Sequence, residues 1–244
     1  MLKLNSALVA LAFALAACAT PAATAPAPSA PATRTIEGAN PAVQVDARIF
    51  VPPPPEAEGA LELAERAIVR GPWSDARRTQ AREDNAIDPY AAFDSVLGVN
   101  FNVAALPATT ALLTRVGRAA GYAVDPAKNL YRRARPYVTD ATIAICIDDD
   151  PALRASFSYP SGHAALGFSW ALVLAELAPS HADALIERGR DFGWSRVVCG
   201  VHYPSDVDGG RLVAAGAIAR LHADPDFQRA FAAARAELEA AGIR

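Results

Sequence analysis

The chain has 244 residues, 23 Lys and Arg against 26 Asp and Glu, and a formal net charge of −3. Hydrophobic residues are 52% and charged residues 20%, which excludes wholesale disorder and allows a sizeable core. A pI near 5.8 argues against a nucleic-acid partner, and three cysteines are too few for a small disulfide scaffold and lack zinc-site spacing.

Residues 1–17, MLKLNSALVALAFALAA, place Lys3 ahead of an apolar run from Ala7 to Ala17. That run is shorter than the roughly 20 residues a membrane span needs, and it fits a secretory signal. Leu15-Ala16-Ala17-Cys18 resembles the lipobox of bacterial lipoproteins, in which the cysteine is lipidated and becomes the mature N-terminus. Ordinary cleavage nearby, with Cys18 incidental, is the alternative. Either route exports the protein, so the expected location is the periplasm, with a lipid anchor to the outer membrane if Cys18 is modified. Residues 18–50 hold that cysteine and an Ala/Pro-rich tether, which cannot bury a core. A folded domain is expected over 51–244, opening on the proline run Pro52 to Pro55.

The periodicity after Glu56 predicts an all-α, single-domain fold. Leu61, Leu63, Ala64, Ala67 and Ile68 recur at helical spacing in the first helix. Further helices are expected near 73–86, 90–103, 107–121, 125–134, 161–177, 180–193, 203–222 and 225–241. High alanine content supports them. Residues 141–147, ATIAICI, read as an irregular buried connector. Ser161 is a good N-cap, Pro204 suits a first helical turn, and Asp206 then falls where the helix dipole favours a carboxylate.

Three short motifs carry chemistry. In Lys128-Asn-Leu-Tyr-Arg-Arg-Ala-Arg135-Pro136, Lys128 and Arg135 stand two helical turns apart, so one face would present two cations to an anion. Arg132 and Arg133 read as its solvated side. In Tyr159-Pro160-Ser161-Gly162-His163, a small polar residue and a glycine at a helix start let backbone N–H groups approach an anion, with His163 alongside. In Ser195-Arg196-x5-His202-x3-Asp206, the carboxylate four residues on fixes one nitrogen of His202 and frees the other for attack, while Arg196 offers a planar fork to phosphate oxygens. Taken singly, each also reads as a basic surface, a plain helix cap or a buried ion pair.

Together the three resemble the signature of the PAP2 phosphatase superfamily, K-x6-RP, PSGH and SR-x5-H-x3-D, at the required spacing throughout. The likeness to its bacterial class A non-specific acid phosphatases extends to the proline run, Arg82-Glu83-Asp84, Ser158-Tyr159, the run 171–176, Arg188-Gly189 and Ser205-Asp206-Val207-Asp208. Two departures stand out. Ala164 replaces the threonine common after PSGH, and 85–89 lack a Ser/Gly-rich loop. The resemblance implies an all-helical, often oligomeric enzyme that needs neither metal nor other cofactor, here expected as a homo-oligomer. The expected reaction is phosphate monoester hydrolysis on small phosphorylated substrates, with phosphotransferase activity.

The residues allow a mechanism. Lys128, Arg135 and Arg196 hold phosphate oxygens with Ser161 and Gly162, His202 attacks phosphorus with Asp206 orienting it, and His163 protonates the leaving group. Relatives carry cysteines matching Cys146 and Cys199, and export favours oxidation, so a disulfide is expected between them. Alternatives are a vanadium-dependent haloperoxidase, a lipid (di)phosphate phosphatase at the envelope membrane, and an anion-binding lipoprotein without catalysis.

Overall fold

The computed structural model describes residues 45–244; the signal, Cys18 and most of the tether lie outside the described residues. A short 3-10 turn at Ala47–Ile49 leads into the proline run, and α-helices then follow in close succession. They are α1 (Ala60–Val69), α2 (Asp75–Glu83), α3 (Pro89–Leu97), α4 (Pro107–Ala123), α5 (Asp125–Tyr131), α6 (Pro136–Thr139), α7 (Pro151–Ala155), α8 (Gly162–Leu177), α9 (Ala182–Val198), α10 (Pro204–Leu221) and α11 (Pro225–Ala240). No strand occurs among the described residues. None of these helices is long and apolar enough to cross a membrane.

Local chemistry sets the starts. Ser74, Asp88, Asp150, Ser161 and Asp224 each accept a backbone N–H from the first turn of the following helix. Proline opens α3, α4, α6, α7, α10 and α11, where its missing N–H costs nothing.

Helix α8 is the spine. It is apolar on nearly every face and packs against α4, α9 and α10, as expected for a helix surrounded by others. Phe93, Leu112, Leu113, Val116, Trp170, Leu174, Leu185, Phe192, Phe227 and Leu238 fill the main core. Gly210 permits the α8–α10 approach: a Cβ there would sit 2.5 Å from the Ser161 carbonyl oxygen. The starts of these two helices are thereby held side by side.

Several expectations need correction. The helix expected over 90–103 stops at Leu97, where Gly98 turns the chain at φ 78°. Helix α9 runs to Val198 rather than stopping near 193; the chain first breaks at Gly200, in a left-handed conformation at φ 74°. The helix carrying Lys128 ends at Tyr131, because Arg132 turns left-handed at φ 48° and Pro136 forces Arg135 into extended backbone at ψ 151°. Lys128 and Arg135 therefore do not share a helix face. Arg133 is buried rather than solvated. Helix α1 is inverted: Leu61, Leu63 and Ile68 are exposed, while Glu62, Glu65 and Arg66 are buried. Residues 141–147 are irregular, and only Ile143 and Cys146 among them are buried.

Candidate active site

Helix ends converge on a pocket of about 910 Å³. Gly162 and His163 begin α8, Arg196 lies in the last turn of α9, and His202 directly precedes Tyr203, the N-cap of α10. Lys128 comes from α5 and Arg135 caps α6. These six residues all line the pocket. Ser161 and Asp206 are fully buried behind its wall, joined by the Ser161 N–H donating to the Asp206 carbonyl at 2.8 Å. Ser161, expected among the phosphate contacts, uses its Oγ to accept the Ala164 N–H.

Asp206 fixes His202. Its Oδ2 lies 3.2 Å from His202 Nδ1 and also accepts Ser158 Oγ at 2.5 Å and the Tyr203 N–H at 2.9 Å. On the far side of the ring, Arg135 Nη1 lies 3.1 Å from His202 Nε2. Burial, with Arg135, Lys128 and Arg196 adding to it, pushes the His202 pKa well below its ordinary value, so the imidazole is neutral.

The three cations are reached by separate routes. Arg135 donates to the carbonyls of Leu153, Ser156 and Val201 and to Ser156 Oγ, which locks its fork against the pocket floor. Lys128 Nζ donates to the carbonyls of Phe157 and Ser158. The 153–158 segment thus gathers two cations that helical spacing did not. Arg196 Nη1 donates to Asn85 Oδ1 at 2.7 Å, and its Nε is buried with no hydrogen-bond partner among the described residues. Burial and the neighbouring Arg135 lower the Arg196 pKa to about 10. A cluster of this kind favours an anion that neutralises it.

His163 stacks on Phe192, with ring centroids 4.8 Å apart. Its Nε2 lies 2.6 Å from the Asp84 carbonyl oxygen, which only accepts, so Nε2 carries a proton and Nδ1 is the exchangeable nitrogen. Burial and Arg196 lower its pKa to about 3.

Several supporting residues had no role in the sequence reading. Asp84 receives Ser195 Oγ and Arg188, each at 2.5 Å, and presents its carbonyl to His163. Asn85 aims Arg196, and Ser158 bridges Asp206 and His202. Asp84 and Ser158 fall in stretches that carried the family resemblance, which was the available signal; Asn85 had none. Cys146 and Cys199 are joined in a disulfide that ties residues 141–147 to the end of α9. The pocket continues outward between Ile87, Pro89, Leu166 and Trp170, so it exceeds the volume of phosphate alone.

Comparison with known proteins supplies the family. Residues 105–229 match the PAP2 superfamily. The chain is similar to an acid phosphatase of Zymomonas mobilis subsp. mobilis, 37% identical over 203 residues, which covers 80% of this chain and 76% of that protein. It is similar to non-specific acid phosphatases of Providencia stuartii, 36% identical over 79% of this chain and 81% of the relative, and of Salmonella typhimurium, 38% identical over 82% of each.

Proposed function

The chain belongs to the PAP2 superfamily and is a phosphoric monoester hydrolase of the acid phosphatase type, and we propose that it works through a phosphohistidine on His202. The observation that carries this reading is the pair of contacts on one ring. Nδ1 is committed to Asp206, while Nε2 faces a guanidinium at the pocket.

Lys128, Arg135, Arg196 and the first N–H groups of α8 hold the phosphoryl oxygens. They neutralise charge that grows on those oxygens, the largest contribution available in a preorganised site. His202 Nε2 attacks phosphorus. The dianionic phosphoryl group raises the proton affinity of His163, which burial and Arg196 otherwise hold neutral, so that substrate binding puts a second proton on Nδ1. The ester P–O bond then breaks, and the departing alkoxide takes that proton. His163 then removes a proton from water as that water attacks the phosphohistidine. Inorganic phosphate leaves and Nε2 is restored. An alcohol in place of water gives phosphotransfer by the same step. Asp206 compensates the positive charge His202 gains while bonded to phosphorus.

Rapid quench with labelled aryl phosphate tests the reading. Wild type should yield an acid-labile phosphoenzyme mapped to His202, and His202→Ala should yield none. Label on His163, or turnover surviving in His202→Ala, overturns it.

Export rests on residues 1–17, and anchoring on Cys18. Cys18→Ser should move the protein from the membrane fraction to the soluble periplasm or block its processing. Unchanged partition and mature size in that variant contradict the anchor.

A further inference from the structure

Helix α1 turns its charged face inward although apolar residues were available on the other. Leu61 is 63% exposed, while Glu62 and Glu65 are 3% and 5% exposed. Burying carboxylates costs several kcal/mol each unless they are paired and hydrogen-bonded. A helix recruited only for stability would do better facing the other way. What Glu65 touches accounts for its orientation. Its Oε2 accepts Arg133 Nη2 at 2.8 Å and Ser205 Oγ at 2.9 Å, and its Oε1 accepts the Ser205 N–H at 2.7 Å. Arg133 Nη1 in turn donates to Asp206 Oδ1 at 2.8 Å and to Ser205 Oγ at 2.7 Å. The same guanidinium lies 3.8 Å from the Tyr203 ring centroid.

We propose that Glu65 is a positioning residue for the nucleophile, acting through Arg133 and Ser205 to hold the Asp206 carboxylate against His202. The chain of contacts alternates in sign: Glu65, Arg133, Asp206, His202. Arg133 occupies Oδ1 and leaves Oδ2 as the oxygen that faces Nδ1. Glu65 also receives an N–H from the first turn of α10, fixing the turn on which Asp206 stands. Finally, Glu65 at 2.8 Å is the nearer of two α1 carboxylates that offset the charge of Arg133, Glu62 Oε2 being the other at 3.4 Å. His202 already faces Lys128, Arg135, Arg196 and His163, with Asp206 opposite. A further uncompensated cation behind Asp206 would weaken its hold on the proton of Nδ1.

The inference rests on His202 as the nucleophile, and the test separates the two claims. Wild-type phosphohistidine is trapped first; its absence defeats the functional reading before any variant is made. Glu65→Gln then keeps the shape and an acceptor for Ser205 but removes the charge. Phosphoenzyme formation from an aryl phosphate should slow by about tenfold or more, as when the orienting partner of a functional histidine is lost. The acid limb of kcat/KM should move to lower pH, because added positive charge makes His202 harder to protonate. Competitive inhibition by inorganic phosphate should stay as in wild type, since the cations lining the pocket are untouched. An unchanged phosphorylation rate and acid limb overturn the proposal. So does a loss matched only by a smaller folded fraction. If Glu65→Gln does not fold, Glu65→Asp, which withdraws the carboxylate from Arg133 but keeps its charge, must show the slowing with little limb shift, and a wild-type phosphorylation rate there overturns the proposal equally. In folded protein, Glu65→Gln should add no further slowing to Arg133→Met, because its effect passes through that residue.

Discussion

Arg135 Nη1 and His202 Nε2 stand 3.1 Å apart, and only one protonation arrangement lets them meet. A guanidinium nitrogen donates and never accepts. Nε2 must therefore present its lone pair, the ring proton must sit on Nδ1, and Nδ1–H points at Asp206 Oδ2. The tautomer needed for attack at Nε2 is set by two neighbours of opposite charge. In the proposed mechanism, an incoming phosphoryl group takes the place of Arg135 on that lone pair and meets the same guanidinium through its oxygens.

Replacing that guanidinium by an ammonium should be costly. Arg135→Lys keeps the charge but loses the fork that reaches Ser156, Val201 and His202 together. We expect kcat to fall by about 10²-fold, as for loss of one preorganised donor. Steady-state assays on an aryl and an alkyl phosphate decide this, and near-wild-type turnover would show that charge alone suffices.

His163 should divide substrates by leaving group. An alkoxide needs its proton, whereas a stabilised phenolate needs little. His163→Ala should lower alkyl ester turnover by about 10²–10⁴-fold while leaving phosphoenzyme formation from an aryl ester measurable. Equal losses on both substrates would contradict a general-acid role.

Acid should weaken the fold through the same residue. The His163 pKa is about 3 in the folded chain against 6.5 for an unperturbed histidine. Below about pH 6.5 the unfolded chain binds a proton that the folded chain refuses, so stability falls as pH drops toward 3. His202 shifts in the same direction. Denaturant midpoints at pH 7, 5 and 4 should decline, and less steeply in His163→Asn. Inorganic phosphate should offset the decline, because an anion beside His163 restores its affinity for a proton. Parallel slopes in the two proteins would refute the assignment.

Gly210→Ala tests the seam between α8 and α10. The added methyl would meet the Ser161 backbone oxygen at 2.5 Å, and neither helix start can yield without moving Asp206 or Gly162. A loss of about 1–3 kcal/mol is expected, accompanied by reduced kcat. Gly216→Ala, on the same helix, meets only the ring of half-exposed Phe50 at 2.9 Å, which can swing aside. Chemical denaturation of the two variants should separate them clearly; equal losses would show that the seam is not special.

The Cys146–Cys199 disulfide closes a span of 53 residues. By the chain-entropy estimate it contributes about 4 kcal/mol. Titration of denatured, unreduced protein should find neither thiol. Cys146→Ser/Cys199→Ser should lower the unfolding midpoint and loosen the segment leading from Arg196 to His202.

Much of the site was legible because its motifs are local. Ser161 caps α8 and Asp206 lies in the first turn of α10, as capping chemistry and proline placement indicated. What sequence spacing missed depends on distant partners. Lys128 and Arg135 meet through carbonyls of residues 153–158, not through a shared helix. Arg133 reads as a surface charge until Glu65 and Asp206 arrive from 68 residues before it and 73 after it. Helix α1 carries both an apolar and a charged stripe, and periodicity cannot say which faces inward. That choice was made by the cation waiting on the other side.

The inverted helix also sets the size of the smallest working piece. The family match begins at residue 105 and includes all three motifs. A polypeptide cut to that match would keep every signature residue. It would nevertheless strip Glu65 from Arg133, Asn85 from Arg196 and the Asp84 carbonyl from His163. Arg133 and Asp206 would then carry a buried pair whose outer neighbour is gone. The proposed catalytic unit is therefore larger than the region that identifies it, and its upstream limit lies at or before Glu65.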